Sequence, residues 1–159
     1  VSLVETDVSN EASMVAAYAR ITELVGADGL TGLVNCAGMA LLCPVELMSV
    51  AEFSRVINVN LVGTFAMSRM ALPLLRTAGG TIVNISSDAG LLSMPTGSAY
   101  CASKFGVEAE SRRRVLSFTA DRNRPRRGRF ATISRRLRNN AGPAFFLVNK
   151  RISNCLLSL

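Results

Sequence analysis

The stretch Asn84-Ile85-Ser86-Ser87, followed by Ser98-Ala99-Tyr100-Cys101-Ala102-Ser103-Lys104, decides how this chain is read. Thr81-Ile82-Val83-Asn84-Ile85 is a short apolar, β-branched run that ends in two hydroxyls, so it predicts a buried strand with polar groups at its tip. Ser98 predicts the start of a helix running to about Ala109. Tyr100 and Lys104 are four residues apart and fall on one face of that helix. A strand tip and a helix face that converge bring a phenol, an ammonium and a hydroxyl together, the raw material of an acid–base site.

Upstream the pattern alternates between strand and helix. Val1–Glu5 reads as a short strand that stops at Thr6-Asp7-Val8, and Ser9 or Asn10 can cap a helix carrying Met14, Val15, Tyr18, Ile21 and Val25 at helical spacing. Asp28-Gly29 predicts a turn, and Leu30–Val34 a second strand that opens onto Asn35-Cys36-Ala37-Gly38. Ser49-Val50-Ala51-Glu52 matches a capping box, predicting a helix to about Asn58. A separate helix is expected from Leu61 to about Arg76, apolar on every side and so buried or at an interface, with Gly79-Gly80 stopping it. Strand, helix and strand joined by short links make a parallel βαβ unit, which places the chain in the α/β class.

Composition narrows the chemistry. The 159 residues suit one domain, and 49% apolar content suits a globular core. There is no histidine, which excludes Ser-His-Asp and Cys-His catalysis and most zinc sites. Cys36, Cys43, Cys101 and Cys155 lack paired metal spacing and read as reduced thiols of a cytoplasmic protein. No apolar run approaches the roughly 18 residues of a membrane span, so no membrane partner is expected. The chain opens inside a strand-like run without an initiator Met, which suggests a fragment or a processed product.

Charge divides the chain in two. Residues 1–110 hold five basic and ten acidic residues, a net of −5, while residues 111–159 hold thirteen basic residues against Asp121 alone, a net of +12. Arg112-Arg113-Arg114, Arg122–Arg129 and Arg135–Arg138 show no clear apolar period, and only Ala144–Val148 resembles a strand or short helix. The expected organisation is an ordered core over 1–110 and an irregular, poorly ordered basic tail over 111–159.

Taken together, the motifs of the first 110 residues resemble the short-chain dehydrogenase/reductase family. Tyr100-x-x-x-Lys104 matches its signature, Ser87 stands thirteen residues ahead where that family keeps a serine, and Asn84-Ile85-Ser86-Ser87-x-Ala89-Gly90 is its usual setting. Asn35-Cys36-Ala37-Gly38 resembles its Asn-Asn-Ala-Gly turn, Asn58-Val59-Asn60-Leu61-Val62-Gly63 carries its helix asparagine at Asn60, and Asp7-Val8 resembles the pair over the adenine. Each motif alone is common; their order and intervals make the resemblance specific.

The resemblance implies a Rossmann-like, doubly wound parallel sheet, here partial, lacking the first two strands and the C-terminal strands. It implies hydride transfer between NAD or NADP and a small alcohol or carbonyl, with Asn60, Ser87, Tyr100 and Lys104 catalytic. Asp7, Val8, Asn35, Ala37, Gly38, Tyr100 and Lys104 would contact the cofactor, and the intact parent would pair as a homodimer or tetramer. A lysine ammonium about 4 Å from a phenolate favours the anion by roughly 4 kcal/mol at an effective dielectric of ~20, before desolvation is subtracted. The family's Thr-Gly-x-x-x-Gly-x-Gly phosphate loop occurs nowhere in the sequence, so weak or absent activity of this chain is expected. The Arg-rich end has the look of a shifted reading frame or alternative exon. The alternative function is a non-catalytic fragment whose basic tail binds nucleic acid or an acidic surface; sparse aromatics, Phe118 and Phe130 in its richest part, make a solvated tail without a partner the preferred reading.

Overall fold

A computed structural model describes residues 2–118, 129–133 and 144–145, with side chains described over 2–112. The order of elements is β1 (Glu5–Thr6), α1 (Glu11–Val25), β2 (Gly32–Asn35), α2 (Val50–Ile57), a π-helical turn (Asn58–Val62), α3 (Gly63–Ala78), β3 (Thr81–Ile85), α4 (Ser98–Phe118), β4 (Arg129–Ile133) and β5 (Ala144–Phe145). The architecture is α/β, centred on a parallel sheet in the order β2-β3-β4. The register pairs Gly32 with Thr81 through Asn35 with Asn84, and Thr81 with Arg129 through Ile85 with Ile133.

Local chemistry sets the helix ends. Asn10 caps α1, its side-chain oxygen accepting from Ser13 N–H at 3.1 Å. Ser49 and Glu52 form the capping box of α2 in both directions. Gly79 ends α3 in the left-handed conformation at φ 65°, which glycine enters without a Cβ clash. On α1 the buried face is Met14, Ala17, Ile21 and Val25, whereas Val15 is exposed. This stripe joins Val8, Leu30, Leu33, Met67, Ala71, Leu75 and Ile82 in one core.

Both crossovers step the same way across the sheet, and the right-handed rule for such units lays α3 and α4 on one face. Leu33 and Ile82, pointing into that face, are 6% and 1% exposed, while Val34 on the alternate side is 41% exposed. A parallel sheet is ordinarily covered on both faces. Here, among the described residues, only one face is fully covered.

Three features differ from the sequence reading. The expected strand at Val1–Glu5 is present only as Glu5–Thr6, and it pairs antiparallel with Ala144–Phe145. The two helices expected over 49–58 and 61–76 are one continuous helical path, because the π turn carries the backbone through Asn60 without a break. Arg129–Ile133, which shows no apolar period, forms β4 beside β3, and α4 continues to Phe118. Val1, residues 146–148 of the strand or helix expected at Ala144–Val148, Cys155 and the arginines at 122–127 and 135–138 lie outside the described residues.

A buried polar ladder crosses the layers. Asn35 Nδ2 donates to Ser68 Oγ at 2.8 Å and to Asn84 Oδ1 at 2.7 Å, and Asn84 Nδ2 donates to Ser111 Oγ at 2.8 Å. It joins β2, β3, α3 and α4 through side chains that water does not reach, so each lost partner leaves an unsatisfied group. Asn84→Ala is expected to destabilise the chain by about 2–4 kcal/mol in urea unfolding, since it removes the acceptor of one buried Asn35 amide hydrogen and the donor to Ser111 Oγ together. A change within about 0.5 kcal/mol would mean the ladder is not structural.

Candidate active site

The carboxyl ends of β2 and β3 point at the π turn and the first turns of α4. Lys104, 3% exposed, reaches back to donate from Nζ to the Ile85 carbonyl at 2.9 Å, at the last residue of β3. Its ammonium lies 5.8 Å from the centroid of the Tyr100 ring, within the range of a cation–π contact. Tyr100 is itself buried and packs with Ala89 and Cys101. The i,i+4 spacing thus brings phenol and ammonium to one place.

Ser87 is extended at φ −161° and ψ 164°, and its Oγ accepts from Ala89 N–H at 3.2 Å. It caps the short turn Asp88–Gly90, whose Ala89 lies against Tyr100. Gly90 packs so tightly that a Cβ there would meet Ser86 Oγ at 2.8 Å and the Lys104 carbonyl oxygen at 2.9 Å. Strand tip and helix are therefore in direct backbone contact. The neighbouring Ser86 hydroxyl is fully buried and has no hydrogen-bond partner.

Asn60, 1% exposed, clamps the turn after β2. Its Oδ1 accepts from Met39 N–H at 2.8 Å, while Nδ2 donates to the Met39 carbonyl at 2.8 Å and to Ser103 Oγ at 2.9 Å. Ser103 in turn donates to the Tyr100 carbonyl at 2.7 Å. A Cβ on Gly38 would stand 3.4 Å from Asn60 Oδ1 and 3.8 Å from Lys104 Nζ, so this glycine borders both. π-helical turns of this kind are frequent at functional sites.

Of the residues singled out from sequence, Gly38, Asn60, Ser87, Tyr100 and Lys104 come together. Asn35 and Ala37 lie beneath: Asn35 is buried with both amide hydrogens committed to Ser68 and Asn84, and Ala37 packs against the main core. Asp7 and Val8 sit further off, against the start of α3, where a Cβ on Gly63 would meet the Val8 carbonyl at 2.8 Å. The Ser9 hydroxyl and then the Ser9 amide hold the Asp7 carboxyl below its ordinary value. Ser103 escaped the sequence reading; its position on the Tyr100 face, one residue before Lys104, was the available signal.

With this geometry in hand, comparison with known proteins is specific. The short chain dehydrogenase family model matches residues 1–116. The chain belongs to the short-chain dehydrogenase family. Among similar sequences are retinol dehydrogenase 7 of Mus musculus, 43% identical over 114 residues (70% of this chain, 36% of that protein). Retinol dehydrogenase 16 of Homo sapiens is 43% identical over 118 residues (72% of this chain, 37% of that protein). The chain thus spans little more than a third of the length of these relatives. Among solved structures, an alcohol dehydrogenase of the archaeon Thermococcus sibiricus complexed with 5-hydroxy-NADP superimposes with a TM-score of 0.72 at 26% identity, over 81% of this chain and 51% of that one. A 4-hydroxyisoleucine dehydrogenase complexed with NADH and succinate gives 0.70 at 29% identity, over 80% and 57%. These neighbours share the Rossmann-like parallel sheet expected from sequence. No helix among the described residues is long and apolar enough to cross a membrane.

Burial pushes Lys104 below the ordinary lysine value of 10.5, with Cys36 acting in the opposite sense. Between the lowered folded value and 10.5 the unfolded chain binds more protons than the folded one, so this lysine makes stability rise with pH across that window. The difference in urea midpoint between the parent chain and Lys104→Met should therefore shift in the parent's favour as pH climbs toward 10.5. A pH-independent difference would show that the ammonium is not desolvated.

Proposed function

We propose that this fold performs the acid–base half of an alcohol–carbonyl interconversion coupled to a nicotinamide nucleotide. The observation that carries the proposal is the pair of Tyr100 and Lys104, buried together on α4 and anchored by Lys104 to the end of β3 beside Ser87. The Tyr100 hydroxyl gives a proton to, or takes one from, the substrate oxygen. The Ser87 hydroxyl holds that oxygen against the phenol. Lys104 holds its ammonium 5.8 Å from the phenol ring in a site shielded from water.

The residues present offer groups for both ends of a nicotinamide dinucleotide and none for the pyrophosphate between them. The open face of Gly38 borders Lys104, which suits an approaching ribose, and the Asp7-Val8 pair suits the adenine. A bound nicotinamide would supply the chemistry of hydride donor or acceptor at the carbinol carbon. For the pyrophosphate, the sequence holds no glycine-rich Thr-Gly-x-x-x-Gly-x-Gly loop. We therefore assign the full reaction to the parent family and only weak nucleotide affinity to this chain. Retinol dehydrogenases among the relatives favour an apolar alcohol as substrate.

Pairing between copies is part of the same proposal. Val62 and Phe65 on the helical path and Phe105 on α4 are 48%, 48% and 42% exposed, an apolar surface suited to helix-on-helix association. Size-exclusion chromatography of the intact parent should give at least a dimer mass; a protomer mass would refute pairing.

Titration calorimetry of the chain with NAD and NADP is expected to give dissociation constants weaker than about 100 µM, and a low-micromolar value would contradict the assigned loss. Any residual oxidation of an apolar alcohol, followed by nicotinamide absorbance, should fall by about 10²–10⁴ in Tyr100→Phe. Turnover retained in that variant would remove Tyr100 from the chemistry.

A further inference from the structure

Two free thiols, far apart in the sequence, converge on the turn that leads into α4. Cys43 N–H donates to the Thr96 carbonyl at 2.8 Å, which brings the loop after β2 against the peptide link between Thr96 and Gly97. From the other side, Cys101 N–H donates to the Gly97 carbonyl at 2.7 Å in the first turn of α4. Met94 N–H donates to Cys101 Sγ at 3.5 Å, and a Cβ on Gly97 would stand 3.2 Å from that sulfur. The Cys101 sulfur therefore lies over the same short turn that Cys43 is bonded to. Both cysteines also line one open space between that turn, the loop after β2 and α4.

Two residues held against one peptide link need only a small shift of the loop to come within the roughly 7 Å between Cα atoms that a disulfide spans. Their accessibilities suit a stepwise closure. Cys43 is half-buried and within reach of a small reagent, whereas Cys101 is buried at 5% exposed and is reached through its neighbour.

We propose that Cys43 and Cys101 form a redox-closing dithiol: a small disulfide such as oxidised glutathione joins their sulfurs and staples the loop after β2 to the first turn of α4. The Cys43 thiolate attacks one sulfur of the oxidant, forming a mixed disulfide and expelling one glutathione thiolate. The Cys101 thiolate then attacks the Cys43 sulfur and expels the second. Two protein thiols lose two protons and two electrons, and the oxidant takes them up as two thiols. Cys101 packs with Tyr100 and Ala89, so the new bond pins the helical turn that carries the phenol.

The test uses the full 159-residue chain and a Cys36→Ser, Cys155→Ser version in which these are the two thiols left. Incubated folded with oxidised glutathione, the double variant should lose both free thiols by maleimide titration and retain no glutathione. Trypsin without reductant should release residues 21–55 joined to 77–104, and dithiothreitol should part them. In the parent chain, fragment ions should place most of the linkage between Cys43 and Cys101. Its yield should fall at least about fivefold when oxidation is carried out in denaturing urea, where the turn no longer gathers the two thiols. The oxidised double variant should also unfold at higher urea than its reduced form. The proposal is overturned if glutathione stays on separate cysteines, if Cys36 or Cys155 dominates the linkage, or if the unfolded chain links Cys43 to Cys101 as readily. A lower urea midpoint after oxidation would overturn it too, since a bond that opposes the fold is strained. Each readout needs neither nucleotide nor alcohol, so the outcome is independent of the catalytic reading.

Discussion

The hydrogen bond from the buried Lys104 ammonium to the Ile85 carbonyl is the contact on which the site depends. A buried ammonium has no water, so the carbonyl at the end of β3 takes one of its hydrogens. The bond fixes the rotation of α4 about its axis and so the direction of Tyr100. It also leaves the ammonium within reach of the phenol ring, where its charge matters most in a low dielectric.

Around that contact the protein uses backbone proximity where many sites use long side chains. Gly90 lets the turn after β3 touch the Lys104 backbone, Gly38 leaves room beside Asn60 and Lys104, and Gly63 admits the Val8 carbonyl against α3. At Gly90 and Gly63 even a methyl group would force elements apart. The polar ladder of Asn35, Asn84, Ser68 and Ser111 holds the sheet to its helices at the same level. The groups that hold β3 to α4 are therefore also the ones that hold the candidate site together.

The half-covered sheet gives the family assignment its particular meaning for this chain. α1 and α3 pack over Leu33 and Ile82, while Val34 on the alternate side remains open among the described residues. Tyr100 and Lys104 come from α4, on the covered side, and no Thr-Gly-x-x-x-Gly-x-Gly pattern occurs in the sequence. What is present can be assembled locally; the absent pattern would cradle the pyrophosphate of a dinucleotide.

Much of this was legible from residue order. The spacing of Tyr100 and Lys104, the hydroxyls at 86 and 87, the capping box at Ser49–Glu52 and the glycine stop after Ala78 are local rules, each set within a few residues. They determined the α/β class and named the residues that meet. Tertiary structure alone decided the rest. The π turn at Asn60, the fate of Asn35's amide, the role of Ser103 and the pairing of Arg129–Ile133 with β3 all depend on partners distant in sequence. Thr96 marks the boundary most clearly: local propensity gives glycine or asparagine the left-handed backbone it adopts at φ 61°, and its carbonyl accepts from the N–H of Cys43, fifty-three residues away, at 2.8 Å.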